Sequence, residues 1–174
     1  YENLVSAAQL RMLQNGEKST VVRLSDFEAI IPSITGKVEL VYEGEQLGAE
    51  NVAHELIGSA IKTQFNAAFR PIKKLKKPGV SDEFDAIVQW FMETNNFELA
   101  TQSTDKEYVK QLNKITPMNE VIDQYSSQKD STERTFLKEL LLWGLVEYQL
   151  LSKHKNEEGI SFADELLGSL YGKN

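Results

Sequence analysis

The residues of this chain whose types and spacing suit chemistry are few, and each lacks part of the pattern it would need. Gly36-Lys37 has the look of a phosphate-binding loop, in which backbone N–H groups surround phosphate and a following hydroxyl holds magnesium. That loop needs a glycine five residues earlier and a Ser or Thr after the lysine, but Ile31 and Val38 stand there. A plain turn with a solvated lysine is the better reading. His54-Glu55 opens like a zinc-protease helix, yet Gly58 occupies the place of the second imidazole. His154, the other histidine, is expected at the end of a long helix beside Lys153 and Lys155, where positive charge complements the helix dipole.

Glu39, Glu43 and Glu45 alternate, so their carboxylates can face one way and hold a divalent ion or do acid–base work. The competing reading is a solvated edge that discourages strand pairing; a salt-bridged interface is favoured over catalysis as a functional use. The basic run Lys73, Lys74, Lys76, Lys77 lacks the interleaved aromatics of a nucleic-acid platform and reads as an exposed linker. Ser6, Ser33 and the other serines have no base and orienting carboxylate patterned around them. Without cysteine there is no thiolate nucleophile, disulfide or Cys-based zinc site. No catalytic, cofactor-binding or metal-ligating residue is assigned.

Composition narrows the class. The 174 residues suit one domain, or a small subdomain with a larger one. A net charge of -7 argues against general nucleic-acid or anionic-membrane binding. No apolar run approaches the ~20 residues that span a bilayer, and the first residues lack the basic start and apolar core of a signal peptide. Cytoplasmic residence is expected. The missing initiator Met suggests a trimmed or truncated chain.

The elements that must position any site are mostly helical in pattern. Leu4, Val5, Ala8, Met12 and Leu13 recur at helical spacing, and Gly16 is placed to end that helix. Ser25 and Glu28 read as a capping box ahead of Phe27, Ile30 and Ile31, with Pro32 kinking or ending the helix. Val38 to Tyr42 suits a short strand or an extended exit. Asn51 to Phe69 reads as an amphipathic helix through Val52, Leu56, Ala60, Phe65 and Phe69. Arg70 to Gly79, bracketed by Pro71 and Pro78, is the best linker.

Beyond it, helices are expected from Ser81 or Asp82, from the capping box Thr104/Glu107, after Pro117, and from Ser131 through TFLKELLLWGLVEYQLLSKH. That last segment is apolar on nearly all faces and should be the central buried helix, with Trp143 in the core and Gly144 admitting a close neighbour. A short final helix is expected over Phe162 to Leu170.

Residues 19 to 46, STVVRLSDFEAIIPSITGKVELVYEGEQ, carry the most specific pattern. Val22, Asp26, Phe27, Ile30, Ile31, Ile34, Lys37, Val38 and Leu40 follow a rhythm of Val-x-x-x-Asp-hydrophobic, two further hydrophobic positions, a basic residue and an aliphatic exit. The stretch resembles the last lid helix of AAA+ ATPases of the magnesium-chelatase subunit I type. NLVSAAQLRMLQNGE is similar to the lid helix that precedes it. ITGKVELVYEGEQLGAENVAHELIGSAI looks like a bacterial subgroup with a helical C-terminal extension, whose signatures resemble Trp90-Phe91, Lys106 to Leu112 and Trp143 to Glu147.

The resemblance implies a parent that hydrolyses ATP as a ring subunit, with ATP and magnesium as its cofactors and its nucleotide-binding core ahead of Tyr1. The Walker segments, sensors and arginine finger find no matching positions, and nothing identifies Arg11, on the lid-like helix, as the nucleotide-sensing arginine. No porphyrin pocket or metal cluster is legible, so the substrate does not follow from fold analogy. The implied organisation is an AAA+ lid-like segment at 1–46, a connecting helix at 47–72 and a helical C-terminal accessory domain at 73–174. The fold class expected is mostly α, with at most a short strand or hairpin.

Two functions compete. One is a non-catalytic C-terminal fragment of such an ATPase, relaying nucleotide-driven motion or mediating assembly, with neighbouring AAA+ subunits and a protein partner but neither nucleic acid nor membrane. The other is a stand-alone helical protein-interaction adaptor working through an apolar groove. An enzyme in its own right has no constellation behind it.

Overall fold

The computed structural model describes residues 1–37, 39, 48–69, 83–94, 97–126 and 130–164. Helix α1 (Glu2–Gln14) ends where expected: Gly16 takes a φ of +65°, the left-handed region glycine reaches without strain. The Glu17 and Gly16 N–H groups then close on the Met12 and Leu13 carbonyls, satisfying two end-of-helix acceptors.

An extended segment leads to a 3-10 helix, Leu24–Ile30, which passes into the short α2 (Ile31–Thr35). Pro32 sits in the first turn of α2, where a missing N–H breaks no helical bond. The expected Ser25/Glu28 capping box is corrected. The flanking residue is Arg23, whose backbone N–H donates to Asp26 Oδ2 at 2.8 Å, and Ser25 lies inside the element. Gly36 and Lys37 form an exposed turn, and Glu39 is exposed. Glu43, Glu45 and the lysine run 73–77 lie outside the described residues, as does most of the expected boundary at 70–80.

Helix α3 (Ala49–Ala68) buries Ala53, Gly58, Ile61 and Phe65 on one side. Helix α4 (Asp85–Thr94) is followed by strand β1 (Phe97–Leu99) and α5 (Asp105–Leu112). The predicted box opens α5: the Glu107 N–H donates to Thr104 Oγ1 at 3.2 Å, and the Thr104 N–H to Glu107 Oε2 at 3.3 Å. Helices α6 (Thr116–Ser126) and α7 (Ser131–Glu147) complete the helical part.

Helix α7 does not run on to His154. Gln149 adopts a φ of +58°, and the Leu150 N–H bonds to the Leu145 carbonyl at 2.9 Å, closing the helix with a left-handed residue that is not glycine. The chain then enters β2 (Leu151–Lys155), so His154 lies exposed in a strand and complements no helix end. The final segment is corrected likewise: β3 (Ile160–Asp164) takes the start of the expected Phe162–Leu170 helix, and 165–170 lie outside the described residues.

The three strands form an antiparallel sheet in the order β1–β3–β2, with Phe97 opposite Phe162 and His154 opposite Ser161. The fold is thus mostly helical, but its β content is a three-stranded sheet and exceeds the hairpin expected. One contiguous apolar cluster joins Leu24, Ile61 and Phe65 to residues of α4 to α7 and all three strands, with Trp143 at its sheet side against Phe162. No described helix is long and apolar enough to cross a membrane.

Candidate functional site: a cleft over a buried ion network

Two arginines are among the most buried side chains of the molecule, each 1% exposed. Arg11 reaches the core because it stands three residues after Ala8, on the inward face of α1. Its Nη2 donates to Asp26 Oδ2 at 3.0 Å and to the Val21 carbonyl at 2.8 Å; its Nη1 meets Thr20 Oγ1 at 3.0 Å and Asp105 Oδ1 at 3.1 Å. Arg23, at the end of the extended segment, donates to the Thr101 and Ser103 carbonyls and to Asp105 Oδ1 at 2.7 Å. Its guanidinium lies 3.9 Å from the centre of the Tyr108 ring, a cation–π contact.

Asp26 and Asp105 therefore answer two fully buried cations. Asp26 also caps the 3-10 helix, while the Asp105 N–H at the head of α5 donates to Glu17 Oε1 at 2.9 Å. Buried charge is tolerated where it is paired and hydrogen-bonded throughout, which is nearly so here. Arg11 Nε and Glu17 Oε2 are buried polar atoms without a partner.

Above this network lies a cleft of about 620 Å³ between the 21–23 segment, α5 and the first turns of α7. Its walls include Val21, Val22, Val109 and Phe136, and its floor holds Tyr108 and Glu139. Glu139 is 2% exposed, and its Oε1 accepts hydrogen bonds from the Tyr108 hydroxyl and from the Leu24 N–H at 3.3 Å. Burial pushes the Glu139 carboxyl up to about 7, against the pull of those two donors and of Arg23. Burial, and then the adjoining Glu139, raise Tyr108 well above the ordinary phenol value, so its hydroxyl keeps the proton and acts as donor.

A second cavity of about 640 Å³ separates the 3-10 helix and α3 from β2. There Glu28 lies 3.9 Å from His54 Nδ1 and 3.7 Å from Lys155 Nζ, so the two sequence-flagged segments around His54 and Lys155 meet at a partly exposed carboxylate. Among the described residues no group of three or more His, Asp or Glu is gathered for a metal ion.

None of the cleft's principal residues was singled out for chemistry by sequence pattern. The available signals were Arg11 on the apolar side of α1 and Glu139 inside the run LKELLLW. Compared with known proteins, the chain matches no family model, no curated protein and no solved structure.

Proposed function

We propose that this chain is the non-catalytic C-terminal part of a magnesium-chelatase-like AAA+ ATPase, a lid remnant joined to a helical accessory domain. Its role in this reading is to relay nucleotide-driven motion, or to mediate assembly, between neighbouring subunits and a protein partner. The supporting observation is the ion network. Asp26, the acidic position of the lid-like motif, binds Arg11 from the preceding helix, and Arg23 beside it grips Thr101, Ser103 and Asp105 far along the chain. Such a clamp makes residues 1–35 and α5 move together, the requirement for a rigid-body relay. ATP and magnesium belong to the parent's core in this proposal, not to this chain.

The test is mass spectrometry and N-terminal sequencing of the native source polypeptide, with an ATPase assay on the intact protein. The expected result is a Gly-Lys-Ser/Thr loop ahead of Tyr1 and hydrolysis by the whole protein. A source polypeptide with neither would overturn the proposal. So would micromolar ATP binding at defined stoichiometry by the present chain in calorimetry.

A second reading, a stand-alone helical protein-interaction adaptor, draws support from the exposed Val21, Val22 and Phe136 around the cleft. The same sequencing separates the two.

A further inference from the structure

We propose that the cleft over Glu139 binds a cationic nitrogen carried on an apolar stem: an alkylammonium or guanidinium group, presented by a small amine or by a lysine or arginine side chain. The argument starts from the hydrogen bonds at its floor. The Tyr108 proton and the Leu24 N–H are both directed at Glu139 Oε1. Arg23 spends its outer nitrogens on Thr101, Ser103 and Asp105. Glu139 Oε2, on a side chain 2% exposed that lines the cleft, accepts no bond from any described residue. That oxygen is open to a donor reaching it from outside the fold through the cleft, and a charged donor answers a carboxylate best.

The rest of the cleft suits the remainder of such a ligand. Asp105, its side chain 31% exposed, directs Oδ1 at Arg11, Arg23 and Thr20, and no described residue reaches its Oδ2. Val21, Val22 and Val109 offer apolar contact to a methylene stem, and the Phe136 ring offers a face to a cation. The charges acting on Glu139 are those of Arg23 and Asp26 at the 3-10 segment, with Arg11 joined through Asp26, and the cleft lining adds Asp105 and Lys106 from α5 and Glu133 from α7. Arg23 and Asp105 answer each other across 2.7 Å, which leaves Glu133 and Glu139 against Lys106 along the lining. A bound cation balances the excess and favours the ionised form of Glu139.

An NMR titration of the 174-residue chain tests this with two probes, hexylammonium and an end-blocked peptide holding one lysine between leucines. The amide signals of Val22, Tyr108, Val109 and Phe136 are expected to shift. Affinity should tighten about tenfold between roughly pH 6 and pH 8 as Glu139 ionises. Glu139→Gln should weaken binding at least about tenfold, the scale expected when a charge-assisted bond is lost. Phe136→Ala, at an exposed position that leaves the core intact, should weaken it several-fold. A response to hexylammonium alone assigns the site to a small amine, and a response to the peptide alone to a partner's side chain. Silence from both probes at millimolar concentration overturns the proposal. So does binding that both variants leave unchanged, or that tightens toward acid.

Discussion

Gly144 of α7 lies directly against Phe65 of α3: a Cβ placed on Gly144 would come within 2.1 Å of Phe65 Cδ2. The ring cannot step aside, because Phe69, Phe84 and Tyr148 surround it at centroid distances of 5.0, 5.6 and 5.5 Å. Helix propensity alone would make Gly144→Ala stabilising by about 1 kcal/mol. Overpacking of a closed core costs about 1–3 kcal/mol or more, and a contact this short belongs at the upper end. The variant is therefore expected to melt several degrees below the parent. An equal or higher thermal midpoint would mean that α3 and α7 stand further apart than described.

The neighbouring Trp143 tests the other side of the same helix. It is 3% exposed and packs its indole on Phe162 of β3 at 5.1 Å. Trp143→Ala should cost about 3–5 kcal/mol, read as a lower midpoint in urea with an unchanged slope. A midpoint equal to the parent's would remove Trp143 from the core and favour its use as an anchor for a partner.

The ion network gives a prediction of a different kind. Asp26→Ala would leave Arg11 with Asp105, shared with Arg23, as its remaining carboxylate and would uncap the head of the 3-10 helix, at a cost of up to about 3–5 kcal/mol. Replacing both members, as Arg11→Met with Asp26→Ala, removes the under-compensated buried charge as well. The double variant is expected to be more stable than the sum of the single losses implies. Strict additivity in denaturant melts would show that the two side chains are not coupled.

What was legible in the sequence was what is local. The spacing of Leu4, Val5 and Ala8, the Gly16 stop and the Thr104/Glu107 box each act within a few residues, and each appears in the structure. The end of α7 was hidden because Gln149, not glycine, takes the left-handed turn. The sheet was hidden because β1 is three residues long, β2 reads LSKHK with no apolar alternation, and their shared partner β3 lies far along the chain from β1. The candidate site was less visible still. The Arg11–Asp105 bond spans 94 positions, and no spacing rule links residues so distant. Only the oddity of a charge on an apolar face, at Arg11 and Glu139, marked it in advance.

Glu139 supplies a pH dependence whose sign follows from its burial. Its ordinary value is 4.5 and the folded value is about 7, so between these the folded state holds the proton more tightly than the unfolded one. Stability then falls as pH rises through that window: the unfavourable contribution is absent below the lower value and complete above the upper one, on the order of 3 kcal/mol. The groups that share the environment are Tyr108, which stays protonated, and the Arg23 and Asp26 charges. Glu139→Gln keeps a carbonyl oxygen for the Tyr108 hydroxyl and the Leu24 N–H while abolishing the titration. The variant should therefore exceed the parent in stability at mildly alkaline pH, with the gap closing toward acid. Urea melts of both proteins across that range decide it. A gap that is constant with pH, or that widens toward acid, would show that the Glu139 carboxyl is not raised above its ordinary value in the folded chain.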